Sequence, residues 1–148
     1  MRNVFYKKVV AFFSLLFLLA ACDPLISPFR EQAYENATTL KAQSLALIAK
    51  SGQPYSVYQA AIEKLLVDVD AAYEYADGLP KNDIVSKQWD TLRDPEGNLL
   101  GGFATRWRNS GSLSMFLREE IALQVADAFD TIICVEINKR EASVCDNI

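Results

Sequence analysis

The chain of 148 residues contains no histidine. That removes the usual general base for a serine or cysteine nucleophile, and with it every histidine-based triad, together with the commonest neutral metal ligand. Strand patterning is lacking too: no stretch alternates apolar and polar residues with a period of two, and neither an internal repeat nor a low-complexity tract is present. Basic charge is in the minority, with 15 Lys and Arg against 19 Asp and Glu, which argues against a nucleic-acid partner. Long apolar runs are missing as well. Val9 to Ala21 runs for 13 residues interrupted by Ser14, whereas a membrane-spanning helix needs roughly 20.

That short run follows Arg2, Lys7 and Lys8 and closes on Ala20 and Ala21, the three-part layout of an export signal. Leu19-Ala20-Ala21-Cys22 resembles the lipobox of bacterial lipoproteins. The resemblance implies that residues 1–21 are a signal peptide and that the Cys22 sulfur carries a diacylglycerol, a transfer that needs the nucleophilicity of a thiolate. The alternative is an ordinary secretory signal with an incidental cysteine. Asp23 resembles the residue that retains enteric lipoproteins in the inner membrane. The expected address is therefore the cell envelope, lipid-anchored, facing the periplasm, with the inner membrane favoured.

Loss of residues 1–21 removes three basic residues and no acids, leaving 12 Lys and Arg against 19 Asp and Glu, a net charge of −7. Such a surface gains nothing from anionic headgroups, so membrane attachment falls to the lipid. With Cys22 assigned, Cys134 and Cys145 remain. An even remainder in an oxidising compartment points to a disulfide, with two buried free thiols as the alternative. On one continuous helix the pair would lie about 16 Å apart, so bonding requires the chain to stop near Lys139 and Arg140 and fold back.

Residues 22–28 form a lipidated cysteine and short tether, and residues 29–148 form one helical domain. The first helix is expected to start with Ser27 as N-cap and Pro28 in its first turn, with Ala33, Ala37, Leu40, Ser44 and Leu47 on one face, widened by Tyr34 and Ile48. Gly52 and Pro54 stop it. The second starts from a capping-box spacing of Ser56 and Gln59 and turns Tyr58, Ile62, Leu65, Val69, Ala72 and Ala76 inward, ending at Gly78 and Pro80. A shorter helix, Asn82 to Arg93, carries Val85, Trp89 and Leu92. After a loop, "FATRWRN" reads as one or two turns. The last helix runs from about Ser112 to Lys139 with Leu117, Ile121, Val125, Ala128, Ile132 and Val135 on one face. The fold class is all-α, a four-helix bundle-like domain.

The phrases "AYEYADGLPKN", "QWDTLRDPEGNLLGGF" and "RW" resemble a group of small helical bacterial lipoproteins of uncharacterised activity. The likeness implies the same fold and address and supplies no function.

Two local patterns break the ordinary rules of a solvated helical surface. Glu63, Asp70, Glu74 and Asp77 fall on one stripe of the second helix, where like charges at i,i+4 oppose one another and the last two meet the negative end of the helix dipole. The stripe is either a plain solvated face or a docking strip for a basic partner or a weak divalent cation. In "GGFATRWRN", Phe103 and Trp107 stand at i,i+4 while Arg106 and Arg108 flank the tryptophan. Aromatic residues and arginine are enriched at binding hot spots, so these four are the candidate partner-binding residues. The other reading makes Phe103 and Trp107 a plug for the bundle, with the arginines paired to acids.

A pocket lined by Tyr58, Tyr73 and Trp89 is a further alternative. "DPEGN" at 94–98 lacks the glycine position and distal glutamate of a calcium loop and reads as a turn. No metal, cofactor or catalytic residue is nominated. The expected function is a lipid-anchored envelope protein that acts by protein contact as an accessory, regulatory or exclusion factor; the alternative is a small-molecule or lipid-binding helical module.

Overall fold

The computed structural model describes residues 26–139 and 144–145. The expected signal peptide, Cys22 and Asp23 lie outside the described residues. Among those described, there are five helices and no strand: α1 Glu31–Lys50, α2 Tyr55–Asp77, α3 Asp83–Arg93, α4 Leu100–Ser110 and α5 Met115–Ile137. None is long and apolar enough to cross a membrane. They form a helical bundle in which α1 packs on α2 and α5, and α3 bridges α2 and α5.

The apolar faces read from the spacing are largely those that are buried. Ala33, Ala37, Leu40, Ser44 and Ile48 face inward from α1, and Ile62, Leu65, Val69, Ala72 and Ala76 from α2. Val85, Trp89 and Leu92 do so from α3. On α5 the inward set is Ile121, Val125, Phe129, Ile132 and Val135, so Phe129 replaces the expected Ala128. Phe129 meets Trp89 edge-on, with ring centroids 5.8 Å apart, and so joins α5 to α3.

The helix starts differ from expectation because backbone donors are claimed by distant partners. Ser27 does not cap α1: residues 26–30 stay out of the helix, the Ser27 N–H bonds the Lys81 carbonyl at 2.9 Å, and Arg30 becomes the extended N-cap. Likewise the Ser56–Gln59 capping box does not form. The N-cap falls two residues earlier, at Pro54, the Tyr55 N–H bonds the Gly111 carbonyl at 2.7 Å, and Gln59 turns instead to Glu63. Ser114 does cap α5, accepting from the Leu117 N–H.

The expectation of four main helices is corrected by α4. In place of a loop running into one or two turns, the chain forms an 11-residue helix that begins inside "NLLGG". Glycine is a poor helix former, by about 1 kcal/mol relative to alanine, so local propensity argues against a helix start here. Packing overrides it. A Cβ on Gly101 would overlap the backbone carbonyls of Arg93 and Asp94, and one on Gly102 would overlap the Gly97 carbonyl. The two glycines let the first turn of α4 lie directly on the turn that ends α3.

At one end of the bundle, three chain segments are joined by buried polar groups. Glu136 and Lys139, 1% and 5% exposed, form an ion pair with Nζ 2.9 Å from Oε2. The Lys139 ammonium also donates to Asn82 Oδ1 at 2.6 Å, and Asn82 Nδ2 donates to the Ala76 carbonyl at the end of α2. Glu136 Oε1 accepts the Arg30 N–H at 2.8 Å. This clamp ties the entry to α1, the α2–α3 turn and the end of α5. Lys81, in the left-handed region at φ 60°, directs its carbonyl to Ser27.

Next to the clamp, α5 stops at Ile137, before Cys145, as the cysteine spacing requires. Cys134 and Cys145 are disulfide-bonded with Cα atoms 5.8 Å apart. Asn138 Nδ2 donates to the Cys134 carbonyl inside this turn.

Removing one member of a buried pair leaves the other charge without compensation, which typically costs about 3–5 kcal/mol. Glu136→Ala and Lys139→Ala should each lower the urea-unfolding free energy by that amount. The double substitution Glu136→Leu with Lys139→Met should cost less than either single change, because no buried charge is left stranded.

Candidate functional site

The four residues nominated in "FATRWR" are parted by the fold. Phe103 and Trp107 are 1% and 0% exposed, so the reading of these two as contact residues is corrected: they are core. On α4 they lie one turn apart and stack with centroids 5.7 Å apart. Tyr55 meets Trp107 edge-on at 5.6 Å and Tyr58 packs on it at 5.8 Å. The indole N–H, which would otherwise be stranded, donates to the Gln53 carbonyl at 3.0 Å. Trp107 therefore fastens α4 to the α1–α2 turn. Gly111, at φ 74°, ends α4 and returns its own carbonyl to Tyr55.

The arginines remain at the surface but on different sides of α4. Arg106 is half-buried beside Glu96 and Asn109 in a shallow groove. Arg108 is exposed, with its guanidinium 5.9 Å from the Tyr55 ring centre. Neither pairs with Asp70 or Glu74 among the described residues. The cation that the acids recruit is Arg93, which the sequence did not single out. Arg93 lies 3.7 Å above the Tyr73 ring, reaches Asp70 Oδ1 at 3.2 Å and holds Asp90 Oδ1 through Nε and Nη2 at 3.1 and 3.0 Å. Partial burial opposes its charge, but the hydrogen bonds to Asp70 and Asp90 outweigh that and raise its pKa above the usual arginine value.

Arg93 sits in an open cleft of about 620 Å³ between α2, α3 and α4, whose lining includes Asp70, Asp90, Asp94, Thr105 and Arg108. Its charged lining is Arg93 and Arg108 with Asp70, Asp90 and Asp94, and the Arg93 guanidinium is already engaged by two of these acids. Chemically this is a structural joint rather than an anion trap. It holds the end of α3 against α2 while α4 lies on the adjoining turn.

The acidic stripe also dissolves into separate roles. Glu63 accepts from Gln59, Asp70 holds Arg93, and Asp77 Oδ1 accepts from the Ser86 hydroxyl at 2.6 Å. Among the described residues no three Asp, Glu or Cys side chains converge as a metal site. Asp70 and Asp77 thus bind to groups on α3, while all four acids of the stripe, Glu63, Asp70, Glu74 and Asp77, stay exposed on α2. The rings of Tyr58, Tyr73 and Trp89, offered above as the lining of an alternative pocket, contact Trp107, Arg93 and Phe129 respectively.

What the structure adds lies at the ends of the bundle. Opposite the clamp, where Trp107, Gln53 and Gly111 meet, Met115 and Phe116 open α5 at 66% and 77% exposure. Two adjacent bulky apolar residues at a helix start are visible in the sequence, but the expected start near Ser112 left their exposure undetermined. At the clamp end, Glu136 had a sequence signal. It continues the spacing Val125, Phe129, Ile132 into an otherwise apolar stripe, and an acid in that place demands a buried partner.

Trp107→Ala should lower the unfolding free energy by about 3–5 kcal/mol, as truncating a buried tryptophan does, whereas Arg106→Glu should change it by about 0.5 kcal/mol or less. Gly101→Ala should cost more than the roughly 1 kcal/mol that a free helix would gain from alanine, because the methyl displaces α4 from the end of α3. Chemical denaturation of the three variants beside the parent decides all three.

Comparison with protein-family models, with curated proteins and with solved structures returns no significant match to this chain.

Proposed function

We propose that the protein is a lipid-anchored envelope protein, held by a diacylglycerol on Cys22 and facing the periplasm, with Asp23 favouring the inner membrane, that acts by contact with another protein as an accessory, regulatory or exclusion factor. The observation that carries this reading is the difference between the two ends of the bundle. Ile26 to Arg30, the segment next to Cys22, is fixed to the clamp end through Ser27 and Arg30. The opposite end offers Met115 and Phe116, with Arg108 exposed at the same end. An α1 of 20 residues sets these ends about 30 Å apart.

Exposed methionine and aromatic side chains with an arginine nearby match the composition enriched at protein interfaces. The partner surface is thereby reassigned from Phe103 and Trp107 to Met115 and Phe116, and Arg108 keeps its nomination. A partner reached by this end belongs to the same membrane, since the tether between Cys22 and the fixed Ser27 is only a few residues long.

Intact mass spectrometry of protein from its native envelope should find a chain that begins at Cys22 and carries a diacylglyceryl adduct, and Cys22→Ser should give an unprocessed or released product. Unmodified Cys22 in soluble wild-type protein would overturn the anchor. A photocrosslinking residue at position 116 should trap one discrete envelope protein that the same residue at Val67 does not. Phe116→Asp should abolish the effect of the protein on that partner while shifting stability by about 0.5 kcal/mol or less. Identical crosslinking from positions 116 and 67 would refute the assigned surface.

A further inference from the structure

The clamp end carries its own apolar residues, and their position is not random. Phe29, Ile84 and Ile137 are 50%, 50% and 55% exposed. Phe29 directly precedes α1, Ile84 lies in the first turn of α3, and Ile137 is the last residue of α5. The exposed Val144 stands beside Cys145, which the disulfide draws to the end of α5. All four positions lie at helix ends on the clamp side, where the Phe29 ring meets that of Tyr34 with centroids 6.3 Å apart. The clamp unites the same three segments, because Ser27 bonds Lys81, Lys139 bonds Asn82, and Glu136 bonds Arg30. The segments that carry these apolar groups are therefore held to one another at one end of the bundle.

We propose that this crown of Phe29, Ile84, Ile137 and Val144 rests in the surface of the lipid bilayer, so that the domain stands on its clamp end. The proposal rests on the lipid anchor proposed above. Its occupant follows from the chain that precedes the described residues. Three residues lie between Cys22 and Ile26, so the two are at most about 14 Å apart when the chain is fully extended, and Ser27 is already pinned to the clamp. A lipid on Cys22 consequently brings this end, and no other, to the headgroup region. Among the described residues next to the crown in sequence, Arg30 and Lys81 stand against Glu31 and Asp83. Contact therefore relies on the apolar side chains and does not require anionic lipid, in keeping with the acidic character of the whole chain.

The test places a tryptophan at one end or the other and reads its quenching by lipids brominated along the acyl chain. The full-length protein, carrying Ile84→Trp, Phe29→Trp or Phe116→Trp, is joined to phosphatidylcholine vesicles through Cys22. The bond is the native lipid where mass spectrometry finds it, and otherwise a maleimide headgroup coupled to the Cys22 thiol. Trp89 and Trp107, both buried, supply a constant background measured in the parent protein. Fluorescence from positions 84 and 29 should be quenched several-fold more than that from position 116, and to the same degree when anionic lipid is added.

Quenching that is absent at 84 and 29 on vesicle-bound protein would overturn the proposal. Equal quenching at 84, 29 and 116 would also overturn it, since the domain would then lie along the membrane. Failure of native lipidation is read separately by mass and leaves this measurement intact. The far-UV ellipticity of each tryptophan variant is compared with that of the parent, and Ile137→Ser supplies a second reading, since it should lower Ile84→Trp quenching in the double variant while ellipticity is retained.

Discussion

A buried ion pair, Glu136 with Lys139, organises one end of this molecule, and much of the local structure is arranged to keep it satisfied. The ammonium has Asn82 as a second partner and the carboxylate has the Arg30 N–H, so neither charge is left with bulk water as its only alternative. Because each partner comes from a different segment, the entry into α1, the α2–α3 turn and the exit from α5 are mutually positioned. The positive φ of Lys81, which costs a non-glycine residue conformational energy, is retained where its carbonyl can receive Ser27. Buried ion pairs contribute little net stability compared with apolar packing, but their geometry is exacting and their disruption is costly. Such a pair is suited to fixing one arrangement of three chain segments.

The other end achieves the same result by different means. Trp107 is surrounded by Tyr55, Tyr58 and Phe103, and its one polar atom is satisfied by a backbone carbonyl, so a large apolar area is buried without a stranded donor. Between the two ends, the third section of the chain is divided into α3 and α4. Arg93 ties the end of α3 to α2 through Asp70, and Gly101 and Gly102 permit α4 to begin in direct contact with that end. Two acids that look like recognition features in a linear reading, Asp70 and Asp77, thus help to join α2 to α3.

This division bears on the proposed role. A bundle with its anchor-proximal segment clamped at one end and its bulky exposed side chains at the other has a built-in direction. If the lipid on Cys22 holds the first end, α5 begins about 30 Å out, facing whatever stands beside it in the same envelope. Rigidity matters here, since a surface displayed on a stiff support loses less conformational entropy on contact than one displayed on a loose chain.

The sequence by itself determined that the domain is helical, where the apolar faces of α1, α2, α3 and α5 lie, where α1 and α2 stop, and that Cys134 can meet Cys145 only if the last helix ends before it. These follow from periodicity, glycine and proline punctuation and the rise of a helix, all properties of short stretches of chain. Tertiary structure alone decided the start of α1 and α2, because the N–H groups of Ser27 and Tyr55 found acceptors at Lys81 and Gly111, far away in sequence. It also decided that "NLLGG" opens a helix, since a local reading counts the cost of glycine and cannot see the backbone that glycine admits. And it decided which of Phe103, Arg106, Trp107 and Arg108 meet solvent: an i,i+4 aromatic pair flanked by arginines has the same spacing on a docking face as in a core, and only the arrival of Tyr55, Tyr58 and Gln53 from another helix turn distinguishes the two.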